Sequence, residues 1–196
     1  MFGLPTISEV GTQLPKTSIY AKFGLKTSER DAFDADVSRI VIANCIDSRF
    51  AAVGADIKSI YVLAVTLKRK HYDPRNIVLL SKLIAQNIIF ALIFEHETQL
   101  AVYCTRLVVS EWQATDSIRL ALSGLNLDRV WEHLVADIGH VGITEGRSVA
   151  EQIVQEDRRA KLLHQIEVLE RKVRSERQPR RKTELFEKIQ KLKLEI

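Results

Sequence analysis

Cysteine is scarce in this sequence, with only Cys45 and Cys104 among 196 residues, and each stands alone in an apolar segment. The absence of a CxxC motif or a Cys/His cluster excludes the usual zinc-site spacings. We therefore expect two buried, reduced thiols, as is usual in the cytosol. The N-terminus also lacks the charged region and apolar stretch of a signal peptide, which favours a cytoplasmic protein.

Long apolar runs are also missing. The longest stretches, such as Asn87–Phe94, are far shorter than the roughly 20 residues that a membrane-spanning helix requires. Hydrophobic residues make up 46% of the chain and charged residues 28%, proportions typical of a globular protein. The sequence therefore predicts a folded protein with no membrane span.

The residue patterns that mark common enzymes are absent as well. The histidines at positions 71, 96, 133, 140 and 164 show neither HxH nor HxxxH spacing. No nucleophile elbow or glycine-rich phosphate loop accompanies them. We therefore predict no catalytic residue, no metal site and no cofactor.

Strand and helix patterns alternate in the first 140 residues. β-Branched and apolar runs predict strands at 40–46, 57–67, 87–94 and 99–109. Asp73-Pro74 is a typical helix start and predicts a helix to residue 85, and Asn126 is a suitable cap for another. A strand, a helix and a strand in succession predict a parallel pair with a right-handed crossover, followed by an antiparallel hairpin. The pattern indicates an α/β (α+β) fold with a small mixed sheet and flanking helices.

The C-terminal residues carry the strongest periodicity. Apolar side chains recur with a 4-3-4 spacing in two sets, which we call the seam: Leu162, Ile166, Leu169 and Val173, then Leu185, Ile189, Leu192 and Ile196. Pro179 lies between the sets, and proline is tolerated in the first turn of a helix but not in its interior. We expect helices at 148–177 and 180–196 that fold back as a hairpin, with a kinked intermolecular coiled coil as the alternative. The predicted domains are 1–140 and 147–196, separated by glycine-containing chain.

The basic charge of the protein is concentrated in this C-terminal part. Residues 157–196 contain 13 Lys and Arg against 7 Asp and Glu, or +6, whereas the remainder contains 16 against 18, or −2. Seven cations and one acid, Glu176, lie in the segment 171–182, which we call the hairpin tip; the cations are Arg171, Lys172, Arg174, Arg177, Arg180, Arg181 and Lys182. Such a cluster favours contact with phosphates or with an acidic partner.

Part of this charge has a simpler explanation. Acid-before-base pairs spaced i,i+4 stabilise exposed helices by about 0.2–0.5 kcal/mol each. The tail contains four of them: Glu167–Arg171, Glu170–Arg174, Glu184–Lys188 and Glu187–Lys191. These pairs do not account for the cations at the expected turn.

Several segments together resemble a bacterial family known only as domain of unknown function forty-three ninety-one. The resemblance rests on Phe2-Gly3-Leu4-Pro5, Leu14-Pro15-Lys16, residues 57–62 and 88–92, and the ending formed by Glu176-Arg177-Gln178, residues 181–185 and Leu192. Members are commonly encoded beside DNA methyltransferases and helicases of restriction or phage-defence clusters. The resemblance implies a helper of DNA-modification or defence machinery, with proteins of a helicase/methyltransferase system as partners. Together with the missing catalytic motifs and the basic tail, it leads us to expect a non-catalytic accessory subunit whose tail contacts DNA or RNA backbone or a partner subunit.

Two alternatives come from other functional classes. A divergent metal-dependent nuclease would need an acid two residues before a strand-end lysine, but Thr66 precedes Lys68 here. The resemblance also departs from its family at this strand, where other members often carry acidic residues. The second alternative is an oligomerisation or adaptor module, since an isolated two-helix hairpin buries little area and favours a twin or a partner.

Overall fold

The computed structural model describes residues 2–141, 149–176 and 178–194. The chain divides into two compact units, Met1–Val149 and Ala150–Ile196. The boundary expected from the sequence, between 140 and 147, falls largely on residues outside the described part. No helix within the described ranges is both long and apolar enough to cross a membrane.

The first unit is built on a seven-stranded mixed sheet. Its order is β1-β2-β3-β4-β5-β6, with β7 paired to β5. The strands are β1 Glu9–Gln13, β2 Val37–Ile46, β3 Ile60–Leu67, β4 Asn87–Phe94, β5 Glu97–Tyr103, β6 Leu107–Val109 and β7 Gln113–Ala114. The helices of this unit are α1 Lys16–Phe23, α2 Thr27–Asp36, α3 Pro74–Ser81 and α4 Leu127–Gly139. The predicted fold class is confirmed.

The centre of the sheet follows the sequence pattern closely. β3 and β4 are parallel and are joined through α3, while β4 and β5 form an antiparallel hairpin. Asp73 caps α3 by accepting a hydrogen bond from Arg75 N at 2.9 Å. Asn126 caps α4 by accepting one from Arg129 N at 3.0 Å. Short polar side chains before an apolar periodic run therefore mark both helix starts correctly.

Other expected boundaries were wrong. The strand expected at 99–109 is two strands, because a turn in which Cys104 N donates to Arg106 O at 3.2 Å interrupts the pairing. β3 begins at Ile60 and not at 57, because the Ile57 N–H points to Asp128 Oδ1 at 2.9 Å. α3 ends at Ser81, before the predicted residue 85. The opening segment also contains the two-turn helix α1.

One face of the sheet carries the main apolar core. Side chains from β3 and β4 that point to this face, Leu63, Val65, Phe90 and Leu92, are fully buried. Helices α1, α2 and α3 contribute Ile19, Phe33, Ile77 and Leu80 to the same cluster. Burial of a side chain of this size stabilises the fold by about 1.5–3 kcal/mol. The apolar face of α4, with Val130, Leu134 and Ile138, contacts β5 and β6.

A buried carboxylate joins three elements near the end of β3. Asp36, the last residue of α2, has no exposed surface. Its carboxylate accepts hydrogen bonds from Arg69 Nε, from Asp73 N at 2.7 Å and from Asn76 Nδ2 at 2.8 Å. A buried charge is tolerated when it is paired and hydrogen-bonded in this way. Asp36 therefore fixes the β3–α3 connection relative to α2.

Replacing Asp36 with Asn should destabilise the first unit by about 1–3 kcal/mol, the usual cost of leaving buried hydrogen-bond donors without their acceptor. The asparagine amide would also direct an N–H donor toward N–H groups that donate hydrogen bonds to the carboxylate of the parent protein. Urea unfolding measures the change in free energy. Asp56→Asn, at an exposed loop position, is the matched control and should stay within about 0.5 kcal/mol of the parent. Equal effects of the two substitutions would contradict this role for Asp36.

Candidate anion-binding surface on the helical hairpin

The second unit consists of two packed antiparallel helices, α5 Val149–Ser175 and α6 Pro179–Lys193. Lys193 Nζ lies 3.3 Å from Glu170 Oε1 although 23 residues separate them. In one continuous helix that separation would be roughly 34 Å. The helices must therefore fold back on each other, as the sequence predicted.

The seam lies between the two helices. Ile166, Val173 and Ile189 are buried in one cluster, against which Leu169, Leu185 and Leu192 pack. Leu162 is also buried. Ile196 lies outside the described residues. Side chains at 4-3-4 spacing share one helix face, so each helix presents a single apolar stripe to the other.

The turn between the helices is short and hydrogen-bonded. Glu176 N donates to Lys172 O at 2.9 Å, and Glu176 Oε1 accepts a hydrogen bond from Gln178 N at 2.9 Å. Pro179 then occupies the first turn of α6, where a missing N–H costs nothing. The sequence therefore ends one helix and starts the next within three residues.

This turn places the cations of the hairpin tip together. Arg171, Lys172 and Arg174 occupy the last turns of α5, and Arg180, Arg181 and Lys182 occupy the first turn of α6. All six are exposed. Arg177, the seventh predicted cation, lies outside the described residues. The single acid of this segment, Glu176, accepts a hydrogen bond from Gln178 N, and one negative charge among seven cations leaves the local charge largely uncompensated.

Only some of these cations have an ion-pair partner. Arg171 Nη2 lies 3.1 Å from Glu167 Oε1, and Arg180 Nε lies 3.8 Å from Glu184 Oε1. Within the described ranges, no carboxylate pairs with the other four, Lys172, Arg174, Arg181 and Lys182. Four adjacent cations without partners are the main electrostatic feature of the hairpin.

The expected i,i+4 pairs form only in part. Glu167–Arg171 is present, but Glu170 pairs across the hairpin with Lys193 and not with Arg174. Glu184 approaches Arg180, four residues before it, and not Lys188. Glu170 therefore supports the fold-back, which leaves Arg174 available to a ligand.

The start of α6 is electrostatically unfavourable for folding. Its first turn has no acidic residue and its N-cap, Gln178, makes no side-chain capping bond. The N-terminus of a helix carries a partial positive charge, so cations there are disfavoured by about 0.3–1 kcal/mol each. Arg180, Arg181 and Lys182 stand at this position. A bound anion would relieve the repulsion and could also accept from the free N–H groups of the first turn.

The chemistry available at the tip is charge-based. Guanidinium groups can grip phosphate or carboxylate oxygens in bidentate fashion. Residues 171–182 contain no aromatic side chain, so stacking on nucleic-acid bases is not provided for. The tip therefore suits an anionic backbone, which its charges can contact without stacking on bases.

Two acids that lie outside the strands, Asp47 and Asp73, serve the fold. Hydrogen bonds from the Arg75 side chain and backbone hold the pKa of Asp73 below its usual range, and Arg49 does the same for Asp47. Both are therefore ionised turn or cap residues. Across the described residues, no group of three His, Cys, Asp or Glu side chains is placed to hold a metal ion. Lys68 follows β3 directly, with Thr66 two residues before it.

The two cysteines are free and half-buried, where the sequence suggested full burial. Burial raises the pKa of the Cys104 thiol to about 11. Burial also raises the pKa of Cys45. An activated thiol needs the opposite shift, toward the thiolate at neutral pH. The structure gives neither cysteine the surroundings of a nucleophile.

One concave surface of the first unit was not anticipated from the sequence. A groove of about 350 Å³ lies on the sheet and is lined by residues of four strands, Glu9, Gly11, Arg39, Val41, Ala43, Ala64, Thr66 and Ile93. β2 was expected to begin at Ile40, which left Arg39 outside the strand. In fact β2 begins at Val37. The alternation of side chains along a strand then places Arg39 and Val41 on the same face.

Replacing Arg181 with Glu should stabilise the start of α6, because an acid at a helix N-terminus is favourable where a cation is not. We expect backbone amides of α6 to exchange about two- to fivefold more slowly, as about 0.3–1 kcal/mol implies. Hydrogen exchange read by mass spectrometry measures this. Arg159→Glu in the middle of α5 is the control, since it is remote from both helix ends. Faster exchange in Arg181→Glu would show that Arg181 stabilises the hairpin.

Comparison with known proteins places the chain in a family. No curated protein and no solved structure matches it. A family model described as Domain of unknown function (DUF4391) matches residues 2–196. The match spans both the sheet unit and the hairpin, so this arrangement of a mixed sheet followed by a helix pair is covered by one family model. The chain therefore belongs to the DUF4391 family.

Proposed function

We propose that this protein is a non-catalytic accessory subunit of a DNA-modification or phage-defence assembly, and that its hairpin tip contacts the nucleic-acid backbone. The observation that carries the proposal is the group of exposed cations Lys172, Arg174, Arg181 and Lys182 at one turn, which have no ion-pair partner among the residues that the structure describes. The connection with DNA-modifying systems comes from the usual genomic neighbours of this family. The proposal places the protein in the cytoplasm, where such assemblies meet DNA.

The energetic cost of the tip cations favours a role in ligand binding over a purely structural role for them. Cations that serve only helix stability are expected beside acids spaced i,i+4 and near helix C-termini. Arg181 and Lys182 satisfy neither condition, because they begin α6 and have no ion pair among the described residues. Charges that work against local folding are commonly retained for a functional reason. A phosphate backbone supplies the missing negative charge and releases condensed counterions when it binds.

The hairpin tip contains no aromatic side chain that could stack on bases, and this sets the expected mode of binding to nucleic acid. Contact with phosphates fixes position but carries no direct sequence information. We therefore infer binding that tolerates any base sequence and depends steeply on salt. Sequence selection in such an assembly would fall to a partner subunit, in the proposed case a helicase or methyltransferase.

Neutralising the four unpaired tip cations together should weaken binding to a short DNA duplex by about tenfold or more at low salt. The variant is Lys172→Gln, Arg174→Gln, Arg181→Gln and Lys182→Gln. Each phosphate interaction that the variant removes should make the slope of log K against log salt shallower by roughly 0.9. Fluorescence anisotropy of a labelled duplex across a salt series measures both quantities.

A stem variant of equal charge separates local contact from net charge. It changes four exposed cations away from the turn: Arg159, Lys161, Lys188 and Lys191. At physiological salt its affinity should stay within about threefold of the parent, since long-range effects are then screened beyond about 8 Å. If both variants lost DNA affinity equally, the loss would be explained by the lower net charge and not by contact at the tip. Undiminished binding in the tip variant, or no binding by the parent protein, would refute contact at the tip and leave docking to a protein subunit as the better account.

A further inference from the structure

The sheet groove has a flat floor and a cationic end. Ala43 on β2 and Ala64 on β3 are small side chains of the floor, and Gly11 on β1 adds no side chain at all. Val41 and Ile93 add apolar surface beside them. Small residues at these positions leave room over the strands that larger side chains would fill. A groove of about 350 Å³ lies within the usual range of small-molecule sites, about 300–1,000 Å³.

Arg39 is the cation of this groove. It is exposed and pairs in register with Thr66 on β3, whose side chain also lines the groove. Nothing in the described part of the chain forms an ion pair with Arg39. Other arginines of this unit are engaged differently: Arg49 pairs with Asp47, and Arg75 with Asp73. The guanidinium of Arg39 is therefore available to a ligand in the groove.

Glu9 also lines the groove but lies at its other end. In the strand register its backbone lies opposite Asn44 on β2, five residues beyond Arg39 along that strand. At about 3.3 Å per residue this separates the two backbone positions by roughly 16 Å. That distance exceeds the Debye length of about 8 Å at physiological salt. Glu9 and Arg39 therefore stand toward opposite ends of the groove along β2.

The arginine end lies near the carboxyl ends of the parallel pair. Thr66 and Ile93 are each the last but one residue of β3 and β4. The groove therefore combines a concavity with a cation that has no ion-pair partner among the described residues.

We propose that this groove binds a small organic anion, with a carboxylate or phosphate head held by Arg39 and Thr66 and a flat apolar body lying over Ala43 and Ala64. The planar guanidinium matches a carboxylate or phosphate with two parallel hydrogen bonds, and the Thr66 hydroxyl can donate a third. An apolar body of one ring would contact the alanine floor without needing polar partners. This site is separate from the hairpin tip and does not depend on it.

Three probes separate the contribution of the anionic head group to binding from that of the apolar body. They are benzoate, phenyl phosphate and inorganic phosphate. Isothermal titration with the full chain should show one site for at least one of the two aromatic anions, bound at least tenfold more tightly than inorganic phosphate. Whichever aromatic anion binds better identifies the preferred head. Amide signals of Ala43, Ala64 and Ile93 should shift during an NMR titration of the parent protein. This measurement needs no variant.

Arg39→Gln should weaken the binding of either aromatic probe roughly tenfold or more, as loss of a charged bidentate contact implies. The matched control is Arg75→Gln, which removes the same charge from an exposed position on α3 and should leave affinity unchanged. Absence of saturable binding by both aromatic probes would overturn the proposal. So would inorganic phosphate binding as tightly as phenyl phosphate, or an Arg39→Gln affinity equal to that of the parent. The tip variant described above should retain this binding, so that failure of one proposal is distinguishable from failure of the other.

Discussion

The packing of α5 against α6 is the constraint on which the hairpin tip depends. The apolar stripe of each helix can be buried only against the other once the chain reverses, and the Glu170–Lys193 pair spans the two helices at 3.3 Å. Reversal within three residues forces the end of one basic segment beside the start of the next. In a straight helix the same residues would spread over roughly 18 Å of rod. The high density of positive charge at the tip therefore results from the packing of the seam, which holds the two helices side by side.

Stability and charge oppose each other at that turn. Glu176 stabilises the turn by accepting a hydrogen bond from Gln178 N, while Arg181 and Lys182 stand where the helix dipole disfavours them. A sequence selected only for a stable hairpin would place acids in this first turn. The energetic cost of each cation at this position is small, but several adjacent cations each destabilise the start of α6. It is the pattern expected when a surface is shaped for an anionic partner.

The sequence was informative where one local pattern determined the outcome. The continuous apolar run of β4, the Asp73-Pro74 helix start and the two seam sets each specify an element without reference to distant residues. Boundaries set by tertiary contacts were missed: Ile57 is kept out of β3 by Asp128, which lies 71 residues away. The partners of Asp36 likewise come from segments 33 to 40 residues distant. The groove was missed for a related reason, since its lining comes from four strands and Arg39 preceded the expected start of its own strand.

The two cationic features differ in the selectivity that their shapes allow. The described cations of the tip are exposed side chains at a turn, so they can recognise charge density but not the size of a ligand. Binding there should be governed by ionic strength. Arg39 stands at one end of a bounded groove with an alanine floor, where a ligand must fit as well as carry charge. Burial of an apolar body adds a contribution that salt does not screen. Salt dependence therefore separates the two modes: steep for an extended polyanion at the tip, and shallow for a small anion in the groove.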